Sequence, residues 1–157
     1  VTEQQSVLFV CLGNICRSPL AEAAFSVEMA RRGFAVRVDS AGTSGWHAGE
    51  PPDWRALKVA RRHGTDIAHY RGGQITQADF SNFNHIVALD LENLSRLRAM
   101  RPPNATASLS LLLDFVAGRE GQAVADPFYG DIADFETTWT DVSLAAAGLA
   151  RHLFGTE

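Results

Sequence analysis

The chain has 157 residues, of which 46% are hydrophobic and 20% charged, and its formal net charge is −4. That composition fits a single globular domain over 1–157, and its acidic balance argues against nucleic acid or an anionic membrane as partner. No apolar stretch approaches the roughly 20 residues that span a bilayer, and the two cysteines are too few for a disulfide scaffold. Val1 to Ser6 lack the basic-then-apolar design of a signal peptide, and a reducing, cytoplasmic setting is expected because it fits a free thiol, with export by a route without a cleaved signal left open.

Strand-like and helix-like segments alternate along the chain. The first strand is expected over Ser6–Val10, an apolar run, followed by a Gly-Asn turn and Arg17-Ser18-Pro19. Ser18 suits a helix N-cap and Pro19 the first turn, so the first helix is predicted from Pro19 to Arg32, closed by Gly33. Its apolar stripe is Leu20, Ala23, Ala24, Val27 and Ala30. A second strand is predicted over Ala35–Asp39, then a functional loop from Gly42 to Pro52, then a helix over Asp53–His63 ending at Gly64. Thr76 can cap a short helix leading to a third strand, His85–Leu89. Leu91–Met100 reads as helix, Ala107–Ser110 as a fourth strand, and Leu111–Phe115 as a helical turn. In the last helix, about Asp134 to Phe154, the stripe of Phe135, Trp139, Val142, Ala146, Leu149 and Leu153 reads as core packing. Asp131 and Asp134 suit its cap. The pattern predicts an α/β fold: a doubly wound, four-stranded parallel sheet with helices on both faces.

The segment between the first strand and first helix carries the chemistry. It lies where unpaired amide N–H groups and the positive end of a helix dipole converge, which makes it an anion cradle. A cysteine at its base, Cys11, is suited to act as a thiolate nucleophile. Arg17 on the rim can hold two phosphate oxygens with its planar fork. Leu12, Gly13, Asn14, Ile15, Cys16, Arg17 and Ser18 are therefore the candidate phosphate-binding residues, and Asn14 tolerates the left-handed conformation that a tight turn needs. The five histidines show no ligand-like spacing and zinc needs three or four ligands, so no metal and no cofactor are expected.

Cys11 and Arg17, five residues apart within Cys-Leu-Gly-Asn-Ile-Cys-Arg-Ser-Pro, resemble the signature of the low-molecular-weight protein-tyrosine-phosphatase family. The resemblance runs through nearly the whole chain. It implies hydrolysis of phosphotyrosine in proteins through a cysteinyl-phosphate, with Cys11 as nucleophile, Arg17 as phosphate clamp and inorganic phosphate as product. Asp126, in Val-Ala-Asp-Pro-Phe-Tyr-Gly, resembles the family's Asp-Pro loop and is expected to be general acid and then base. Residues 40–50 resemble the loop bordering the substrate cleft, with Trp46 expected against a substrate ring beside Phe128 and Tyr129. Asn14, Ser40, His69 and Asp90 match positions that brace the loop, and Ser18 is expected to hydrogen-bond the Cys11 sulfur.

Two further readings remain beside this one. A phosphoarginine phosphatase shares the scaffold, although the resemblance associates threonine with the position that Ile15 occupies here. A non-catalytic phosphate-binding or redox-sensing module would use Cys11 and Cys16. In either case Cys16 has two open readings: a thiol that captures oxidised Cys11 as a reversible disulfide if the loop brings them together, or a small apolar packing residue. An arsenate reductase relay is disfavoured, because no cysteine follows Cys16.

Overall fold

The structure, a computed structural model, describes residues 4–155. Four strands, β1 (Ser6–Cys11), β2 (Arg37–Gly42), β3 (His85–Ala88) and β4 (Ser108–Leu111), form one sheet in the order β2-β1-β3-β4. Every pairing is parallel. The helices are α1 (Arg17–Arg32), α2 (Trp54–Arg62), α3 (Asp79–Asn82), α4 (Leu91–Met100) and α5 (Ile132–Phe154), with a 3₁₀ turn over Leu112–Phe115.

Both faces of the sheet are covered, and the period of two along β1 divides its side chains between two cores. Val7, Phe9 and Cys11 pack into the core built with α1, α2 and α5. Leu8 and Val10 enter the other, with Phe80, Leu94 and Leu97. All of β1 is buried, which accounts for its unbroken apolar run. The chain leaves β1 for β2 on one side and reaches β3 on the other. The carboxyl end of β1 therefore opens at the point where strand order switches, the usual ligand crevice of such sheets.

Several boundaries differ from expectation. The first helix begins at Arg17, and its N-cap position is Cys16 without a side-chain cap. Ser18 is not the N-cap: its hydroxyl turns inward to the Cys11 sulfur, so it lies inside the first turn. The buried face of α1 includes Ala21, Phe25 and Met29, whereas Val27 and Ala30 are exposed. The helix lies against the sheet and also against α5, so its apolar surface is wider than a single stripe and rotated from the expected one. β2 starts later and runs to Gly42, because its register follows β1 from Ser6↔Arg37 to Cys11↔Gly42. β3 stops at Ala88 and β4 runs over Ser108–Leu111. Thr76 does not cap α3; the N-cap is Ala78, and the Thr76 N–H instead donates to Asp79 Oδ2.

α5 has the capping box that Asp131 and Asp134 suggested, each side chain accepting from the other's N–H. Its predicted stripe is buried from Phe135 to Leu149, and Leu153 packs at the margin. Gly148 lets α5 approach the 3₁₀ turn, since a Cβ there would lie 1.9 Å from the Phe115 carbonyl oxygen. Among the described residues, no helix is long and apolar enough to cross a membrane.

Candidate active site

Residues 12–16 wrap the mouth of the switch-point crevice. Asn14 takes the turn with φ of 60°, the left-handed conformation that asparagine tolerates. Its side chain is a hub: Oδ1 accepts from the Gly73 N–H at 3.0 Å, while Nδ2 donates to Ser18 Oγ at 2.8 Å and Ser40 Oγ at 3.0 Å. Gly42 brings β2 against this loop, where a Cβ would lie 2.7 Å from the Leu12 carbonyl oxygen.

Cys11 sits at the floor with only 3% of its surface exposed. Its Sγ lies 2.9 Å from Ser18 Oγ and receives the Asn14 N–H at 3.3 Å. Arg17 is buried beside it. Nη1 donates to Asp90 Oδ2 at 2.8 Å and to the Val124 carbonyl at 3.0 Å, and Nη2 lies 3.8 Å from Asp126 Oδ2. Asp90 caps α4 through its other oxygen, Oδ1, which accepts from the Asn93 N–H, so one carboxylate anchors a helix and aims the guanidinium. Burial works against the Arg17 charge, but Cys11 and hydrogen-bonded Asp90 outweigh it and hold its pKa above the ordinary value. Cys16 is also buried; desolvation first, then the Asp53, Cys11 and Asp126 charges, push its thiol up and keep it neutral.

A cavity of about 220 Å³ opens above Cys11. Leu12, Gly13, Ile15, Cys16 and Arg17 line it, and Trp46, Phe128 and Tyr129 form its walls. Asn14 and Ser18, also expected to bind phosphate, lie behind the lining as supports. Trp46 and Tyr129 are 74% and 94% exposed, so apolar surface is left open around the mouth. Asp126 stands on the rim, half exposed, with Oδ1 accepting the Phe128 N–H at 3.1 Å.

His69 does not brace the loop. It is exposed, its ring meets Tyr70 edge-on, and among the described residues no hydrogen bond joins it to residues 11–18. Glu22 occupies the end of the network instead, accepting from Ser40 Oγ at 2.7 Å. Burial pushes the Glu22 carboxyl up to about 7, against the Ser40 hydrogen bond and reinforced by Asp39. Arg55 was missed by sequence reasoning as well. Its guanidinium forks onto Asp53, the α2 N-cap, and donates to the carbonyls of Phe128 at 2.9 Å and Gly130 at 2.8 Å. α2 thereby holds the Asp126 loop. His47 lines the cavity, its Nδ1 2.9 Å from Glu50 Oε1; its place in the 40–50 loop was the signal for it.

A family model described as low molecular weight phosphotyrosine protein phosphatase matches residues 6–155. The low molecular weight phosphotyrosine protein phosphatase of Saccharomyces cerevisiae is 38% identical over 143 residues, covering 88% of each chain. The crystal structure of YfkJ from Bacillus subtilis superposes with a TM-score of 0.89 at 36% identity, over 97% of this chain and 96% of that one. A Drosophila arginine phosphatase superposes equally well, TM-score 0.89, at 29% identity over 96% of this chain and 99% of that one. On this match of sequence and fold, the chain belongs to the low molecular weight phosphotyrosine protein phosphatase family.

Proposed function

We propose that the protein hydrolyses phosphotyrosine in proteins, and small aryl phosphates, in two steps through a cysteinyl-phosphate on Cys11, without a metal and in a cytoplasmic setting. The observation that carries this reading is the cysteine sulfur at the floor of the cavity, held by Ser18 and the Asn14 N–H, with Arg17 aimed by Asp90. In the first step the sulfur attacks phosphorus in line, the bond to the phenolic oxygen breaks, and Asp126 gives its proton to that oxygen. Arg17 and the loop N–H groups stabilise the charge on the three equatorial oxygens. In the second step a water attacks phosphorus and gives its proton to the Asp126 carboxylate. The S–P bond breaks, inorganic phosphate leaves, and the Ser18 hydroxyl supports the departing sulfur. The aromatic walls, Trp46, Phe128 and Tyr129, suit stacking on an aryl leaving group, and aliphatic Ile15 offers no side-chain hydrogen-bond partner to a guanidinium.

Turnover of p-nitrophenyl phosphate in EDTA tests enzyme against binding module. Cys11→Ser should abolish turnover while retaining vanadate binding. Asp126→Asn should lower kcat by at least about 100-fold for alkyl phosphates, and much less for aryl phosphates with good leaving groups. Equal losses across the leaving-group series would give Asp126 a structural role. Comparing kcat/KM for phosphotyrosine and phosphoarginine peptides separates the two substrate classes, and a preference for phosphoarginine would overturn the aryl assignment.

A further inference from the structure

Glu22 lies on the side of the loop away from the cavity and takes no part in the proposed chemistry. It is partly buried, it forms no ion pair among the described residues, and the ionisable groups facing it are Asp39 of β2 and Tyr70 of the segment after α2. Tyr70 is itself pushed up, chiefly by burial and then by these two carboxyls. An unpaired acid in such a place is costly unless it holds a hydrogen bond that matters.

The hydrogen bond it holds is the last of a chain that begins at the sulfur. The Gly73 N–H can only donate, so it fixes Asn14 Oδ1 towards itself and turns the Asn14 NH₂ towards the two serines. One N–H goes to Ser18 Oγ and the other to Ser40 Oγ. Each serine then has a single proton left to donate elsewhere. Ser40 gives its proton to Glu22 Oε1 at 2.7 Å, and the partner remaining to Ser18 is Cys11 Sγ at 2.9 Å.

We propose that Glu22 is a positioning residue for Cys11: by accepting the Ser40 proton it holds Ser40 where Asn14 donates to it, and so steadies the Asn14 amide whose other N–H leaves the Ser18 hydroxyl to donate to the sulfur. This rests on the phosphatase reading only in what the donated bond is for, stabilising the sulfur as nucleophile and as leaving group. Without an acceptor at residue 22 the Ser40 proton is orphaned, Ser40 shifts, and Asn14 loses one of the three side-chain bonds that hold it.

The test uses Glu22→Leu, which removes the acceptor, and Glu22→Gln, whose amide oxygen preserves it. Two readouts are followed: p-nitrophenyl phosphate kinetics, and the rate of iodoacetamide alkylation of Cys11 located by mass spectrometry. Glu22→Leu should lower kcat about tenfold, the factor for one net hydrogen bond, with KM within about twofold. Alkylation should slow in the same order, and Glu22→Gln should stay within about twofold of wild type in both. A Leu variant at wild-type level in both readouts, a Gln variant as impaired as Leu, or a loss confined to KM would overturn the proposal. If Glu22→Leu fails to fold, Ser40→Ala cuts the same chain one bond nearer Asn14. Its effect should be the one expected for Leu, and adding Glu22→Gln should change nothing further. A wild type that turns over no phosphate but keeps the alkylation order would sink the phosphatase reading and leave the positioning role standing.

Discussion

At the scale of single residues, the loop separates two thiols by their surroundings. Cys11 Sγ accepts the Asn14 N–H and lies 2.9 Å from Ser18 Oγ, whereas the Cys16 thiol is held neutral by its surroundings. With the Cys16 thiol held neutral, peroxide is expected to oxidise the proposed nucleophile Cys11 first, to sulfenic acid, with water leaving. If Cys16 then condenses with that sulfenic acid, a second water leaves and a disulfide protects the site. Peroxide should inactivate the wild type, and dithiothreitol should restore most of its activity; Cys16→Ser should be inactivated too but recover far less. Equal recovery of the two proteins would reduce Cys16 to a packing residue. Gel-shift counting of free thiols after each step checks the assignment.

At the scale of elements, the site depends on helices reaching across to loops. Arg55 on α2 clamps the Asp126 loop by two carbonyls while forked onto the α2 N-cap. Arg55→Ala should lower kcat about tenfold with the fold retained, because a rim acid that wanders by an ångström loses much of its proton-transfer geometry. Arg55→Lys should rescue little, since a point charge cannot reach Asp53 and two carbonyls together. Steady-state kinetics beside a thermal melt separates lost geometry from lost fold. α5 meets the 3₁₀ turn at Gly148, where an added Cβ would overlap the Phe115 carbonyl. Gly148→Ala should therefore cost about 3 kcal/mol in urea unfolding, and the loss should sit in stability rather than in kcat.

At the scale of the whole molecule, stability carries the imprint of the Glu22 carboxyl. Its folded pKa is raised from 4.5 to about 7, so folding favours the protonated form. The contribution is present in full below the unfolded value and is lost as pH rises through about 7. Glu22→Gln cannot ionise. Its stability relative to wild type should therefore climb between pH 4.5 and 8, by up to about 3 kcal/mol at the upper end. Parallel urea titrations of both proteins at several pH values measure that difference, and other titrating groups cancel from it. A flat difference would mean that Glu22 ionises in the folded protein as it does in the unfolded chain.

The sequence by itself determined what depends on near neighbours. The apolar run of β1, the left-handed turn at Asn14, the spacing of Cys11 and Arg17, the Asp131 cap and the stripe of α5 are all set by period, cap chemistry or φ preference. Those local patterns also made the parallel sheet and the family legible. Only the tertiary structure decided which polar groups meet. Arg17 finds the Val124 carbonyl 107 positions away, and Arg55 reaches Phe128 and Gly130 across more than seventy. Glu22 reads in the sequence as one more polar residue on a helix face, and His69 is expected as a brace only through the family resemblance. The packing of α1 against β2 turns the first inward to Ser40, and the loop after α2 leaves the second exposed. A polar side chain states in sequence only that it needs a partner or water, and strand order and helix packing choose between them.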